Sequence, residues 1–390
     1  MVTIVLLGLV SFFTDLSTEM VYPLIPLYLT SAFGATPAIV GVIEGIAESL
    51  ASLLKVFSGY ISDRFRKKKA IAFSGYATGL IYKLVLLLAG SWAGVLAARV
   101  VDRFGKGIRT APRDVLVSES ADKDSMGKAF GIHKALDMAG SALGILITYF
   151  LLRGSNGLFE YSNIFILSTI PALLGLCMFF FFKEQKTRRP PKQKVAFWNN
   201  IKSINGQLKL YLIVVCLFTL GNSSNSFLLL KAKAIGFDDT SVILLYFLFN
   251  ITASILSIPF GKLSDKVGRK KLLISGYLVF AACYIGFAFA NSTLQMFLVF
   301  VLYGAYTAMV AGVERAFVAE VAPPELKGTM LGLHSTVTGI ALLPASVIAG
   351  LLWNRFGTMA PFLFGAFMSL LAVALLAFFM KSYLSTSRKT

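Results

Sequence analysis

Long apolar runs alternate along the chain with short polar connections, and the runs are longer than a soluble core requires. Stretches such as Ile164 to Phe182 have no polar face at all, the pattern of a helix bathed in lipid or enclosed by other helices. Twelve runs are predicted, over 4–30, 37–58, 70–90, 93–118, 126–152, 162–182, 210–230, 240–260, 271–290, 293–320, 328–353 and 358–380. Each bilayer crossing takes about 20 residues, so twelve crossings consume most of the 390 and leave no room for a sizeable soluble domain. Only helices and closed barrels satisfy the backbone in lipid. A barrel would show short alternating segments, so the expectation is an all-α membrane protein with twelve transmembrane helices.

Composition agrees with this pattern: 56% hydrophobic against 14% charged, with a mean hydropathy of +0.75. A soluble enzyme is excluded. The formal charge of +18 would fit nucleic acid, but the placement of the bases argues otherwise. Of 37 Lys and Arg, 24 fall in alternate connections and the tail, and only Arg153, Lys231, Lys233 and Arg355 fall in the intervening ones. The positive-inside rule then predicts both termini and the long central connection on the cytoplasmic side of an inner membrane. Basic residues facing lipid phosphates make membrane lipids a partner, and nucleic acid is not expected. Cys177, Cys216 and Cys283 all lie in apolar runs and are expected to be buried thiols, with no disulfide framework or metal spacing. Asp15 interrupts the first run, which lacks a basic leader, so an uncleaved first helix is expected.

The chain repeats itself. Gly59-Tyr-Ile-Ser-Asp63-Arg64-Phe-Arg66 recurs 202 residues later as Gly261-Lys-Leu-Ser-Asp265-Lys266-Val-Gly268, followed by Arg269, and each copy precedes an apolar run containing Ser-Gly-Tyr. Gly127, Gly131 and His133 recur 201 residues later at Gly328, Gly332 and His334, with Glu119 matched by Glu320. Two ordered matches at nearly one offset indicate duplication of a six-helix unit. The expected domains are a bundle at 1–182, a basic linker at 183–209 containing Arg188 to Lys194, and a second bundle with a short tail at 210–390.

The duplicated motif, in the connection between helices two and three and again between eight and nine, resembles the signature loop of the major facilitator superfamily. That resemblance covers the whole chain and implies two pseudo-symmetric six-helix bundles with helices one, four, seven and ten lining a central cavity. The first copy departs from the pattern, with Phe65-Arg66 where Gly-Arg is usual. Arg103, Lys106 and Gly107 resemble a helix-four element of proton-coupled members. Gly140, Ser141 and Gly144 resemble an exporter element of helix five without its proline.

Charges inside membrane helices are costly and point to function by default. Asp15 and Glu19 share one helix face, as do Glu44 and Glu48. In helix four, Arg99, Arg103, Lys106, Arg109 and Arg113 draw a basic stripe, and Pro112 is expected to kink or end the helix. Seven acids and eight bases in the first half predict a paired network, whereas the second half offers only Glu314 and Arg315 at comparable depth. Arg103 is the expected partner of a coupling acid among Asp15 and Glu19, with Glu44, Glu48 and Asp137 as further candidates. The alternatives are a structural pair of Glu44 with Lys55 and a position for Arg109 and Arg113 at the cytoplasmic rim. Asp63, with Gly59, Arg64, Gly261, Asp265 and Arg269, is read as a conformational latch, an acid set among bases at a helix end. Asn222 and Asn225 either bind substrate or bond between helices, and the rich Phe and Tyr content is read as mostly lipid-facing. His133 and Asp137 stand as a proton relay, a metal pair or gate packing inherited by duplication.

The expected function is secondary active transport of a small solute by alternating access, proton-coupled and working as an exporter, by a monomer without cofactor. Import of an anionic metabolite is the alternative, and a membrane-embedded enzyme or a receptor belongs to other classes. No Walker loop is present to bind ATP.

Overall fold

The computed structural model describes residues 2–65, 68–120, 126–154, 161–182, 206–321 and 327–386, with side chains throughout except at 55–65, 111, 118–119, 126–131, 154, 207, 265, 319–320, 327–329 and 379–386. The described residues are almost wholly helical and hold no strand. Twelve helices follow one another: α1 (Val2–Glu19, continued by Ile25–Phe33), α2 (Pro37–Phe65), α3 (Lys68–Leu87), α4 (Trp92–Glu119), α5 (Met126–Gly154), α6 (Tyr161–Leu167, continued by Thr169–Met178), α7 (Gly206–Gly221, continued by Ser226–Ala234), α8 (Asp239–Val267), α9 (Arg269–Phe289), α10 (Thr293–Val310, continued by Val313–Val321), α11 (Lys327–Phe356) and α12 (Ala360–Thr386). Eleven of these are long and apolar enough to cross a bilayer. The twelfth, α4, has the right length, but eight charged residues from Arg99 to Glu119 cancel its apolar character.

The breaks have local causes. In α1, Pro23 lies in the first positions of a tight turn at Tyr22–Leu24 and Pro26 in those of the helix that follows, where their missing N–H groups cost least. Asn222 to Asn225 interrupt α7, and Ala311 and Gly312 interrupt α10. Pro112 does not end α4, which stays helical through it to Glu119. Gly268, in the second copy of the repeated loop, adopts φ +92, a conformation open to glycine at no steric cost, and starts α9. At the head of α10, the Gln295 N–H donates to Ser292 Oγ and the Asn291 N–H to Gln295 Oε1, closing a capping box.

The chain groups into two compact units. Unit 1 contains Met1–Ala35, Ile46–Lys192 and Phe237–Phe247; unit 2 contains Thr36–Gly45, Gln193–Gly236 and Leu248–Thr390. In unit 1, Ile4, Leu7, Val10, Ala72, Tyr76, Val117 and Phe179 knit α1, α3, α4 and α6 together. Glycines let α5 lie directly on α1: a Cβ at Gly140 would stand 2.1 Å from the Phe12 carbonyl oxygen, and one at Gly144 would stand 2.3 Å from that of Leu16. Such backbone contact gives helices close van der Waals packing where lipid removes the hydrophobic drive. The resemblance of these glycines to an exporter element therefore has a packing explanation.

Unit 2 is built differently. Phe218 stacks on Tyr277 with ring centroids 3.9 Å apart, and Phe280, Tyr284, Phe287, Tyr303, Tyr306 and Phe362 extend the contact through α9, α10 and α12. These rings are buried and are exceptions to the expectation that the aromatics mostly face lipid. Cys283 is buried, but Cys177 is exposed on α6, since it lies on the outward face of that helix. Lys231 and Lys233 belong to the last turn of α7 and not to a connection, and the Lys231 ammonium donates to Thr358 Oγ1 at 3.2 Å.

Candidate functional site

In unit 1 the charges of α4 turn inward. Arg99 is fully buried, and Asp102, Arg103 and Arg109 are nearly so. Asp102 Oδ2 lies 3.3 Å from Arg99 Nη1 and 3.7 Å from Arg103 Nε, while Arg103 Nη2 reaches Glu48 Oε1 of α2 at 2.6 Å. Burying ions costs several kcal/mol each unless partners compensate, and here a string of alternating sign supplies them. The break in α1 presents the Tyr22 ring to both guanidinium groups, 5.1 Å from Arg99 and 5.5 Å from Arg103. Neighbouring pairs complete the network. Arg109 Nη2 stands 4.0 Å from Asp15 Oδ1 and lies over the Tyr76 ring, Arg113 binds Asp114 at 2.8 Å, and Lys134 binds Asp137 at 2.6 Å. The Asp15 and Asp137 carboxyls lie near enough to affect each other's charge. Two neighbouring acids relieve their repulsion when one of them carries a proton.

Glu19 accepts a hydrogen bond from Tyr246 of α8 at 3.3 Å. Lys106 is half-buried and makes no ion pair among the described residues, although Arg103, Glu48, Asp15 and Asp102 surround it electrostatically. Lys83 of α3 is buried, with its ammonium donating to the Gly79 carbonyl at 3.3 Å. The base beside Asp15 is thus Arg109, one helix turn and a half beyond Arg103, whose own partners are Glu48 and Asp102. His133 does not pair with Asp137; its Nε2 bonds to Ser11 Oγ at 2.9 Å, and Ser11 Oγ lies 3.2 Å from the Tyr76 hydroxyl.

Unit 2 holds the remaining candidates. Glu44 is fully buried there, accepting from Ser224 Oγ at 3.5 Å, although Glu48, one turn along the same helix, belongs to unit 1. Asn222 donates to the Tyr306 hydroxyl at 3.0 Å, and the Tyr303 hydroxyl donates to Asn225 Oδ1 at 2.8 Å, so both amides of the α7 break bond to α10. Glu314 points inward to the Tyr277 hydroxyl at 2.8 Å, whereas Arg315 is exposed. Arg269 donates to the Ala316 carbonyl at 3.0 Å, and the space a Cβ would occupy at Gly261 is open. The side chains of Gly59, Asp63, Arg64 and Asp265, the rest of the latch, lie outside the described residues, as does the linker at 183–205.

Tyr22, Tyr76, Tyr246, Tyr277 and Ser11 were not singled out by sequence reasoning. The prolines beside Tyr22 and the duplicated Ser-Gly-Tyr ahead of Tyr76 and Tyr277 were the available signals.

A two-unit, twelve-helix protein with a buried charge network in one unit and an aromatic one in the other has the build of a multi-pass membrane transporter. The major facilitator superfamily profile matches residues 7–230 and 210–389, and the chain belongs to that family. It is 38% identical over 379 residues to an MFS-type transporter of Methanocaldococcus jannaschii, covering 96% of this chain and 94% of that one. A protein of Lactococcus lactis named as a homologue of the multidrug resistance efflux pump PmrA is 22% identical over 360 residues, covering 88% and 87%. Among solved structures, the POT family transporter PepTSo superposes with a TM-score of 0.83 at 14% identity over 98% of each chain. The nucleoside transporter NupG superposes with 0.81 at 12% identity over 96% and 98%. At such identities the likeness establishes the fold: two pseudo-symmetric six-helix bundles.

Proposed function

We propose that this transporter exports a small amphiphilic solute in exchange for protons, by alternating access of bundles at 1–182 and 210–390 joined by the linker at 183–209. The neighbouring carboxyls of Asp15 and Asp137, with Arg109 Nη2 4.0 Å from Asp15 Oδ1, carry this reading. A shared proton between two acids is exchangeable, and a guanidinium that approaches or withdraws changes how firmly it is held. Glu19, Arg103, Lys106 and Glu48 line the same route or hold its partners in place, and Glu44, Glu314 and Arg315 are acidic and basic groups of unit 2. Asn222 and Asn225, among the tyrosines of unit 2, suit a planar amphiphilic solute. The relative named as a homologue of an efflux pump supports the outward direction. Asp63 with Gly59, Arg64, Gly261, Asp265 and Arg269 serves as the conformational latch. The protein works as a monomer in the cytoplasmic membrane, with both termini and the linker on the cytoplasmic side, and performs no enzymatic step.

The test uses inverted vesicles made acidic inside, with ethidium as the probe. Accumulation that depends on both the protein and the pH gradient is expected. Equal accumulation after the gradient is collapsed would contradict the coupling. Lys106, half-buried and without an ion pair, favours a second reading in which an anionic metabolite is imported. Gradient-driven uptake of a dicarboxylate by right-side-out vesicles, with ethidium unmoved, would establish that alternative.

A further inference from the structure

Tyr76 and Tyr277 stand 201 residues apart, as do His133 and His334, and each half of the repeat brings its tyrosine and histidine to one point. In unit 1 the point is Ser11 of α1, bonded to both. In unit 2 it is Glu314 of α10, whose Oε1 accepts from the Tyr277 hydroxyl at 2.8 Å and whose Oε2 lies 3.8 Å from His334 Nε2. The duplication has thus kept a tyrosine and a histidine on the third and fifth helices of each bundle and placed a hydroxyl between them in one copy, a carboxyl in the other. We infer that Glu314, Tyr277 and His334 form a second proton-exchange site, contained within unit 2. The inference rests on the proton-coupled reading above and adds a site to it.

Charge compensation argues for the site. Arg315, next in sequence, is exposed and makes no ion pair with Glu314; Arg269 of α9 donates to the Ala316 carbonyl instead. The other titratable groups around Glu314 are neutral phenols, Tyr211 of α7, Tyr277 of α9 and Tyr306 of α10, together with His334 of α11. A carboxylate enclosed among phenols is stranded, whereas a carboxyl and an imidazole that hold one proton between them are neutral as a pair wherever it sits. The transfer moves a proton from Glu314 Oε2 to His334 Nε2 and changes no other bond. His334 Nε2 is buried without a hydrogen-bond partner, and a movement of about 1 Å would bring the pair into hydrogen-bond range. The break at Ala311 and Gly312, directly ahead of Glu314, is where α10 can make that movement. The Tyr277 hydroxyl then holds the carboxyl in one orientation, leaving the other oxygen for the histidine.

The experiment is infrared difference spectroscopy of the full-length protein in lipid between acid and alkaline buffer, following the carbonyl band of protonated carboxyl groups. In wild type, a component of that band is expected to vanish in Glu314→Gln and to persist in Asp15→Asn. Its titration midpoint should move in His334→Gln, which a structural histidine would not cause. Tyr277→Phe, which keeps the ring on Phe218, should shift the band's position and provides the test if Glu314→Gln does not fold. A band unchanged in both Glu314→Gln and Tyr277→Phe, but lost in Asp15→Asn, would overturn this site and leave the unit 1 reading standing. A band unchanged in all four variants would overturn both.

Discussion

The fourth helix of each bundle shows how far two copies of one scaffold have diverged. At the 201-residue offset, Arg99, Asp102 and Gly105 of α4 correspond to Phe300, Tyr303 and Tyr306 of α10, and Arg103 and Arg109 correspond to Gly304 and Val310. One copy holds its interior with ion pairs, the other with stacked rings. The backbone accepts both because most buried groups find partners either way: the guanidinium groups meet carboxylates and the Tyr22 ring, and the Tyr303 and Tyr306 hydroxyls meet amides, while among the described residues Arg103 Nε, Tyr211 Oη, His334 Nε2 and Thr338 Oγ1 are buried without a hydrogen-bond partner. The difference also accounts for hydropathy recognising eleven helices where twelve exist, since α4 is a membrane helix only because its charges pay one another. A bundle held by ion pairs is vulnerable to the loss of one partner, whereas the aromatic bundle depends on the packing of its rings.

Breaking the ionic side should have the largest effect. Arg103→Ala removes the guanidinium that reaches Glu48 and leaves Asp102 to Arg99, and a loss of about 3–5 kcal/mol is expected, read as thermal unfolding in detergent. Adding Glu48→Gln should restore part of it; no recovery would show that the guanidinium acts by packing alone. On the aromatic side, Phe218→Ala removes the ring stacked on Tyr277 and should cost about 3 kcal/mol, read by the same thermal unfolding. A loss under about 1 kcal/mol would show that the stacked rings do not hold unit 2 together.

A smaller effect comes from making one copy resemble the other. Gly140 and Gly144 of α5 correspond to Ala341 and Ala345 of α11. In unit 1 the added methyl meets backbone, so Gly140→Ala should cost about 2 kcal/mol, while Ala341→Gly should cost about 1 kcal/mol through helix propensity. Equal costs would mean that α5 can withdraw from α1 freely. The smallest effect concerns Asp238, which precedes α8 at the place Thr36 holds before α2. The Ser241 side chain hydrogen-bonds the Asp238 carboxyl and holds it below the ordinary aspartate range. Because the folded value is depressed, its stabilisation is present above the unfolded aspartate pKa and fades as pH falls through the folded one. Asp238→Ala should cost about 1 kcal/mol at neutral pH and nothing in strong acid.

Much of the fold was legible in the sequence. All twelve helices were read as apolar runs, α4 at 93–118 among them, although its charges keep it from qualifying as a membrane span by hydropathy. Breaks were less visible: Pro112 sits within α4 without ending it, whereas the interruptions of α7 and α10 fall at asparagines, serines and a glycine that hydropathy does not distinguish. For the site, charge in an apolar run identified Asp15, Glu19 and the α4 stripe. Helical spacing gives the face a residue occupies but not its partner, which is why Asp15 meets Arg109 and not Arg103, and why Glu44 and Glu48, on one face, serve different units. The aromatics of unit 2 could not be told from lipid-facing ones, because a buried ring and a ring in lipid look alike in composition.

The central claim, that the Asp15 and Asp137 pair in unit 1 couples protons to transport, is tested most directly in proteoliposomes by comparing two modes of ethidium movement in Asp15→Asn. Counterflow needs only alternating access, whereas accumulation needs the proton. The account predicts that Asp15→Asn exchanges ethidium at close to the wild-type rate and accumulates none under a pH gradient; full gradient-driven accumulation by that variant would contradict it.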